Sequence, residues 1–269
     1  AGTDISPFAM SIAPLFVQLI QMSETESPLL KSYAAEGLAS LLKNAPEEMA
    51  SIAEQSIQML IQQCSSATDY SVLDSTLSAF SILAGTQIPL LVESCEIAMQ
   101  KSIEILQLEC PVIMNTEKDD DNDIELPIPQ EYDTKCAAMN FIISFTKSHP
   151  EQFGKVAEAC ITLLFDHVQC HETKTRIIAM KTLTTISLSS LLDAIVLLQQ
   201  FLEMGLFELD DEKIVSKSFT QIRKLLQPTL PPQLVQVFVK YAISGLINKL
   251  PCQAIDECDN LVLIQSIFK

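Results

Sequence analysis

His149, His167 and His171 are the only imidazoles in a chain of 269 residues and so the only ones available for general acid–base work. Two of the three lie in the run Asp166-His167-Val168-Gln169-Cys170-His171. Cysteine and histidine at such spacing can ligate zinc, but a structural site needs four ligands, usually on two paired arms. Cys252 and Cys258 stand six apart and do not form a C-x-x-C arm, so no metal site is expected. The six glycines, at 2, 37, 85, 154, 205 and 245, build neither a phosphate-cradling loop nor a dinucleotide fingerprint. A serine nucleophile elbow and an H-E-x-x-H zinc helix are also missing. These residues lead to the expectation of a non-catalytic protein without cofactor or metal.

Composition narrows the alternatives. With 17 basic and 34 acidic side chains the formal charge is −17 and the pI about 4.5. Such a chain is repelled by nucleic acids and anionic lipid, so its electrostatic partners should be basic. An apolar fraction of 48% is enough to offset the entropy of ordering, and scarce glycine with no tryptophan points to helix. The eight cysteines (64, 95, 110, 136, 160, 170, 252 and 258) are too sparse for a secreted disulfide scaffold and are expected to be reduced and mostly buried. The uncharged run from Ile5 to Ser23 contains Pro7, Pro14, Gln18 and Gln21 and has no basic lead. It reads as a buried helix and not as a membrane span. A start at Ala1-Gly2-Thr3 and an end within an apolar stretch at Phe268-Lys269 suggest a segment of a longer protein.

The elements that must position any binding residues come from a repeat. Ala35, Leu77, Met139, Met180 and Phe219 form one apolar column; Leu38, Phe80, Ile142, Leu183 and Ile222 follow three residues on; Leu41, Leu83, Phe145, Ile186 and Leu225 follow three further on. The five units stand 42, 62, 41 and 39 residues apart, so three of the four spacings are about 40, and the i, i+3, i+4 steps within each unit mark a helix, A. A second helix, B, follows each A. Pro46, Pro150 and the Pro231-Pro232 pair stand at or near the first turn of B, where proline costs no hydrogen bond. The turn at Ser187-Leu188-Ser189 is expected to use serine capping.

The predicted order is a lone B helix at 7–22, A/B pairs at 28–65, 69–108, 131–168, 171–208 and 211–248, and a further A from about 252. That describes an all-α fold, a right-handed α-solenoid of about five HEAT-type hairpins with flanking half-repeats. No hairpin can bury both of its faces alone, so residues 1–269 are expected to form a single array.

One gap exceeds the period by about 20 residues, and the excess is the segment 110–130. It carries Glu117, Asp119, Asp120, Asp121, Asp123 and Glu125 and reads as an acidic inter-repeat loop. It is either a solvated insertion or a clasp for a basic partner. Summed by helix type, the B helices carry −9 and the A helices +2. Part of this asymmetry follows from acids favouring helix N-termini. It is also what a face built to hold lysine-rich ligands would show, with Glu93, Glu96, Glu104, Glu158 and Asp166 as the candidate residues.

The acidic run Asp119-Asp120-Asp121, then Glu131-Tyr132-Asp133-Thr134-Lys135-Cys136-Ala137-Ala138, then Pro150-Glu151-Gln152-Phe153 and Val156, resembles the middle of importin-β (karyopherin-β) nuclear transport receptors. The branch it is most similar to is the one called importin beta-three or Ran-binding protein five. Sequence-level similarity covers residues 117–168. The resemblance implies a superhelix whose concave B face binds basic nuclear-localisation cargo and the GTPase Ran. It also implies a convex A face that meets Phe-Gly nucleoporins, and shuttling between cytoplasm and nucleus. The alternative is a HEAT scaffold subunit of a phosphatase, ubiquitin-ligase regulator or chromosome complex.

Overall fold

The computed structural model of the protein describes residues 6–22, 27–86, 88, 91–109, 129–207, 212–226, 236 and 240. Among these the regular elements are all helical. After a 3-10 turn at Ser6–Phe8 come α1 (Ala9–Gln21), α2 (Pro28–Asn44), α3 (Pro46–Met49), α4 (Ala53–Ser66), α5 (Tyr70–Leu83) and α6 (Leu91–Gln107). They are followed by α7 (Gln130–Ser148), α8 (Pro150–Gly154), α9 (Ala157–Val168), α10 (Thr173–Leu188), α11 (Ala194–Phe207) and α12 (Glu212–Leu225). The A helices are α2, α5, α7, α10 and α12. The B helices are α1, α4, α6, α9 and α11. The predicted second helix of the last pair, the further A helix and the 110–128 part of the acidic segment lie outside the described residues.

The chain divides into two compact units, Ala1–Leu163 and Leu164–Lys269. In the first, neighbouring A helices pack directly, α2 on α5 and α5 on α7, while the B helices α1, α4 and α6 pack in the same order. In the second, α10 packs on α12, and α11 contacts both.

All fifteen residues of the three apolar columns are buried. Each fully covered leucine or phenylalanine contributes about 1.5–3 kcal/mol. One position before the first column stand Ala34, Thr76, Ala138, Ala179 and Ser218, all inaccessible. Small side chains there let neighbouring A helices approach closely. The seams also carry polar stitches. Ser32 Oγ donates to the Ser71 carbonyl at 3.0 Å and Thr134 Oγ1 to the Tyr70 carbonyl at 3.3 Å. Phe80 meets Phe141 edge-on at 6.2 Å, Phe141 stacks with Phe145 at 5.8 Å, and Phe145 lies 5.3 Å from the His149 ring. His149 Nε2 sits 2.9 Å from the Ala84 carbonyl at the C-cap of α5.

Three local expectations need correction. The prolines at 46 and 150 do not open the long B helices; they open the short helices α3 and α8, anchored by the buried Met49 and Phe153. Gly154, a poor helix former, ends the second of these. The turn after α10 is not held by serine side-chain capping of the next helix. Ser190 takes a left-handed φ of 61°, its N–H donates to the Ser187 carbonyl, and the Leu191 N–H donates to the Ile186 carbonyl. That pair of bonds is a Schellman motif. The α11 start is capped by Asp193 Oδ1, which accepts from the Ile195 N–H at 2.8 Å. Third, the apolar run around α1 is covered on one side only. Ala9, Ala13 and Ile20 are buried against α2 and α4, while Phe8, Met10 and Leu15 are exposed. No described helix packs on that outer side. Among the described residues no helix is long and apolar enough to cross a membrane.

Candidate functional site

Helical periodicity decides which B-helix side chains reach solvent. On α6 the positions exposed at i, i+3, i+4 steps are Glu93, Glu96, Ile97, Gln100, Glu104 and Gln107, because Cys95, Ala98, Met99, Ser102 and Leu106 occupy the core side. Three of the predicted binding acids therefore share one stripe. They are not equally charged in effect. Glu96 lies 3.9 Å from Lys155, which follows α8, and Glu104 lies 3.4 Å from Lys101 one turn back on α6. The Lys155–Glu96 pair is solvated and the Lys101–Glu104 pair partly so, and each is worth at most about 1 kcal/mol. They nevertheless set a positive charge against the stripe's own at those two points, whereas Glu93 has no ion-pair partner among the described residues. Glu158 and Asp166 are both exposed on α9. Glu158 belongs to the first unit and Asp166 to the second. The stripe on α4 is dominated by Gln55, Gln58 and Gln62, with Glu54 as its acid. Glu117, Asp119, Asp120, Asp121, Asp123 and Glu125 lie outside the described residues.

The A helices place several cations where a charge sum would not put them. Lys31 Nζ donates to the Met22 carbonyl at 3.0 Å, Lys135 Nζ donates to the Leu108 carbonyl, and Arg176 Nε donates to the Val168 carbonyl at 3.0 Å. Each acceptor terminates the preceding B helix, α1, α6 or α9. Cations at a helix C-terminus complement its partial negative charge and satisfy carbonyls that lack an intrahelical donor. Lys135 is wholly inaccessible, so its charge belongs to the interior and not to the A surface. Two A helices are capped at their other end by carboxylates. Asp69 accepts from the Ser71 and Val72 N–H groups and the Ser71 hydroxyl. Glu172 accepts from the Lys174 and Thr175 N–H groups. The Ser71 hydroxyl bond, seconded by the two backbone bonds, holds the Asp69 carboxyl below the ordinary aspartate range.

The histidine–cysteine run spans the end of α9 and the turn into α10. His167 and Cys170 are buried and His171 is exposed, and Cys170 Sγ accepts from the Glu172 N–H at 3.4 Å. Among the described residues no group of three His, Cys, Asp or Glu side chains is arranged to hold a metal. Cys64, Cys95, Cys136, Cys160 and Cys170 are buried thiols that form no disulfide. Burial pushes Cys64, Cys95 and Cys160 up to about 12.

One concavity was not foreseen from the sequence. A cleft of about 810 Å³ opens in the second unit between the α9–α10 turn and α11. The turn side supplies Val168, Gln169, Cys170 and His171, with Arg176 behind them; α11 supplies Val196, Gln199, Gln200, Glu203 and Met204. The sequence signal was present but weak, a Gln199-Gln200 pair next to an apolar residue on the solvent side of a B helix.

No protein-family model matches this chain, and no curated protein matches it. Solved structures do. A crystal structure of an engineered protein aligns over 95% of this chain and 94% of its own, with a TM-score of 0.57 at 12% identity. A second engineered protein aligns over 95% of this chain and 56% of its own, with a TM-score of 0.53 at 12% identity. A designed armadillo repeat protein in complex with the peptide (KR)4 aligns over 96% of this chain and 99% of its own, with a TM-score of 0.52 at 14% identity. At these identities the likeness concerns fold alone. The fold of this chain is an all-α helical-repeat solenoid of the armadillo-like kind.

Proposed function

We propose that this chain is a non-catalytic binding segment that holds lysine- and arginine-rich peptide signals on its B-helix stripes, as part of a nuclear transport receptor of the importin-β kind. The observation that carries the reading is the exposed carboxylate stripe of α6, Glu93, Glu96 and Glu104, on a chain of formal charge −17. Clustered carboxylates on a helical array raise the local concentration of cations and speed their capture. A designed armadillo repeat protein of similar fold is in complex with a (KR)4 peptide, which makes a basic peptide the natural first ligand to try. The importin-β assignment, with Ran and Phe-Gly nucleoporins as further partners and shuttling between cytoplasm and nucleus, rests on the resemblance over residues 117–168.

The test is titration of the whole chain with a Lys-Arg octapeptide at several salt concentrations. Binding should weaken steeply as salt rises. Reversal of Glu93 to lysine should lower the affinity several-fold, since each exposed ion pair is worth up to about 1 kcal/mol. Affinity that ignores salt, or that survives Glu93→Lys together with Glu96→Lys, refutes the acidic-face reading and leaves a scaffold role for the solenoid.

A further inference from the structure

The cleft between the α9–α10 turn and α11 is separate from the acidic stripe of α6, and its chemistry differs. Its floor is apolar: Val168, Cys170 and Met204 are buried there, and Val196 is half-exposed at the edge. Its rims are polar and of opposite sign. His171 and Arg176 stand on the turn side, and Glu203 stands on α11, where its Oε1 accepts from Gln199 Nε2 at 3.3 Å. Carboxamides of Gln169, Gln199 and Gln200 also line it.

Each primary amide offers two donors and one acceptor, which matches the alternating N–H and C=O groups of a peptide main chain. A volume of about 810 Å³ lies in the range of sites that hold a ligand of a few residues. An exposed half-valine next to buried methionine and cysteine sulfur gives an adaptable slot for one aliphatic side chain. In an extended peptide successive side chains alternate in direction. When an aliphatic residue points at the floor, both of its neighbours point away from it, toward the mouth of the cleft, where His171 and Glu203 are exposed.

The geometry points to a peptide-binding site in this cleft, specific for an extended segment in which one medium-sized aliphatic residue is flanked by an acidic residue on one side and a basic residue on the other. The acid faces His171 and Arg176, the base faces Glu203, and the glutamines hold the main chain. A wholly basic peptide places a cation against Arg176 and is disfavoured here, the reverse of what the α6 stripe selects. The two readings can therefore fail independently.

The experiment uses the full chain and blocked pentapeptides with the cores Glu-Leu-Lys, Lys-Leu-Lys and Glu-Ser-Lys, titrated calorimetrically. Glu-Leu-Lys should bind saturably, in a range of about 0.1–1 mM, and about tenfold more tightly than either of the others. Val196→Asp, an exposed α11 position, should abolish that binding while helical circular dichroism is unchanged. Glu203→Lys should transfer the preference to a Glu-Leu-Glu core, which shows that the α11 rim reads charge. Equal binding of all three cores, no saturation at millimolar peptide, or full binding by folded Val196→Asp overturns the proposal.

Discussion

Gly37 sits in the middle of α2, where any other residue would normally be the better helix former. An ideal Cβ built there would lie 2.6 Å from Phe16 Cζ and 2.7 Å from Phe16 Cε2, about 1 Å inside the optimum carbon–carbon separation. The α1–α2 seam therefore closes because residue 37 lacks a side chain. Gly37→Ala gains about 1 kcal/mol of helix propensity and loses about 1–3 kcal/mol to overpacking against the rigid ring. The net expectation is destabilisation of about 1 kcal/mol, confined to α1 and the α2 face beneath it. Helical arrays do not always unfold as one unit, so the assay is native-state amide exchange in α1 and α2, with urea unfolding by circular dichroism beside it. The decisive arm is a double-mutant cycle. With Phe16→Leu as background the ring is gone, and Gly37→Ala should now stabilise by about 1 kcal/mol. A sign that does not invert between the two backgrounds refutes the argument that the ring dictates glycine here.

Other predictions follow from local chemistry. Ser190 holds a left-handed φ at the Schellman turn, so Ser190→Gly should stabilise the second unit by about 1 kcal/mol, read as a higher thermal midpoint for α10 and α11. Asp69 caps α5, and its folded-state pKa lies below the unfolded value. The unfolded carboxylate protonates first as pH falls, so the cap contributes fully above the ordinary aspartate range and is lost on descent through the lower folded value. Asp69→Ala should cost about 1 kcal/mol at pH 7, and the melting difference between wild type and variant should shrink toward pH 3. Cys64, Cys95 and Cys160, pushed up to about 12, are thiolate in about one molecule in ten thousand at pH 8. Mapping by mass spectrometry should find them unlabelled by a thiol reagent in the native chain and labelled in denaturant; native labelling within minutes would contradict their burial.

The periodic columns were legible because a 3.6-residue repeat with a 40-residue recurrence admits few alternatives to stacked helices, and every column residue from Ala35 to Leu225 is buried. What escaped was tertiary chemistry at helix ends. Four positions before the first column the same alignment reads Lys31, Leu73, Lys135, Arg176 and Val215, and the three cations all donate to carbonyls that end a B helix. Summation by helix type assigned those charges to the A surface. A formal charge does not record whether an ammonium ends in water or against a backbone carbonyl. The Schellman turn was missed for a related reason, since serine rarely takes the left-handed conformation and the bond geometry appears only once the helices are docked. The cleft depended on bringing a turn and a later helix together, which periodicity alone does not place.

The same distinction between formal and effective charge bears on the acidic stripe. Glu96 and Glu104 each have a lysine within ion-pair distance, whereas Glu93 stands on the same stripe three residues before Glu96. Both members of the Lys155–Glu96 pair are largely solvated, so the pair adds little to stability, yet its cation reduces the potential that an incoming basic peptide meets. If the stripe captures cations, Lys155→Gln should therefore strengthen binding. One unit charge at about 7 Å in water amounts to about 0.6 kcal/mol, or two- to threefold in affinity at low salt. The gain should fade once the Debye length falls below that distance, at about 0.2 M salt, and vanish near 1 M, where it is about 3 Å. Titration of Lys155→Gln with the Lys-Arg octapeptide at both salt levels measures this directly. An unchanged or weakened affinity at low salt means that basic ligands are not held by the α6 carboxylates, whatever the net charge of the chain.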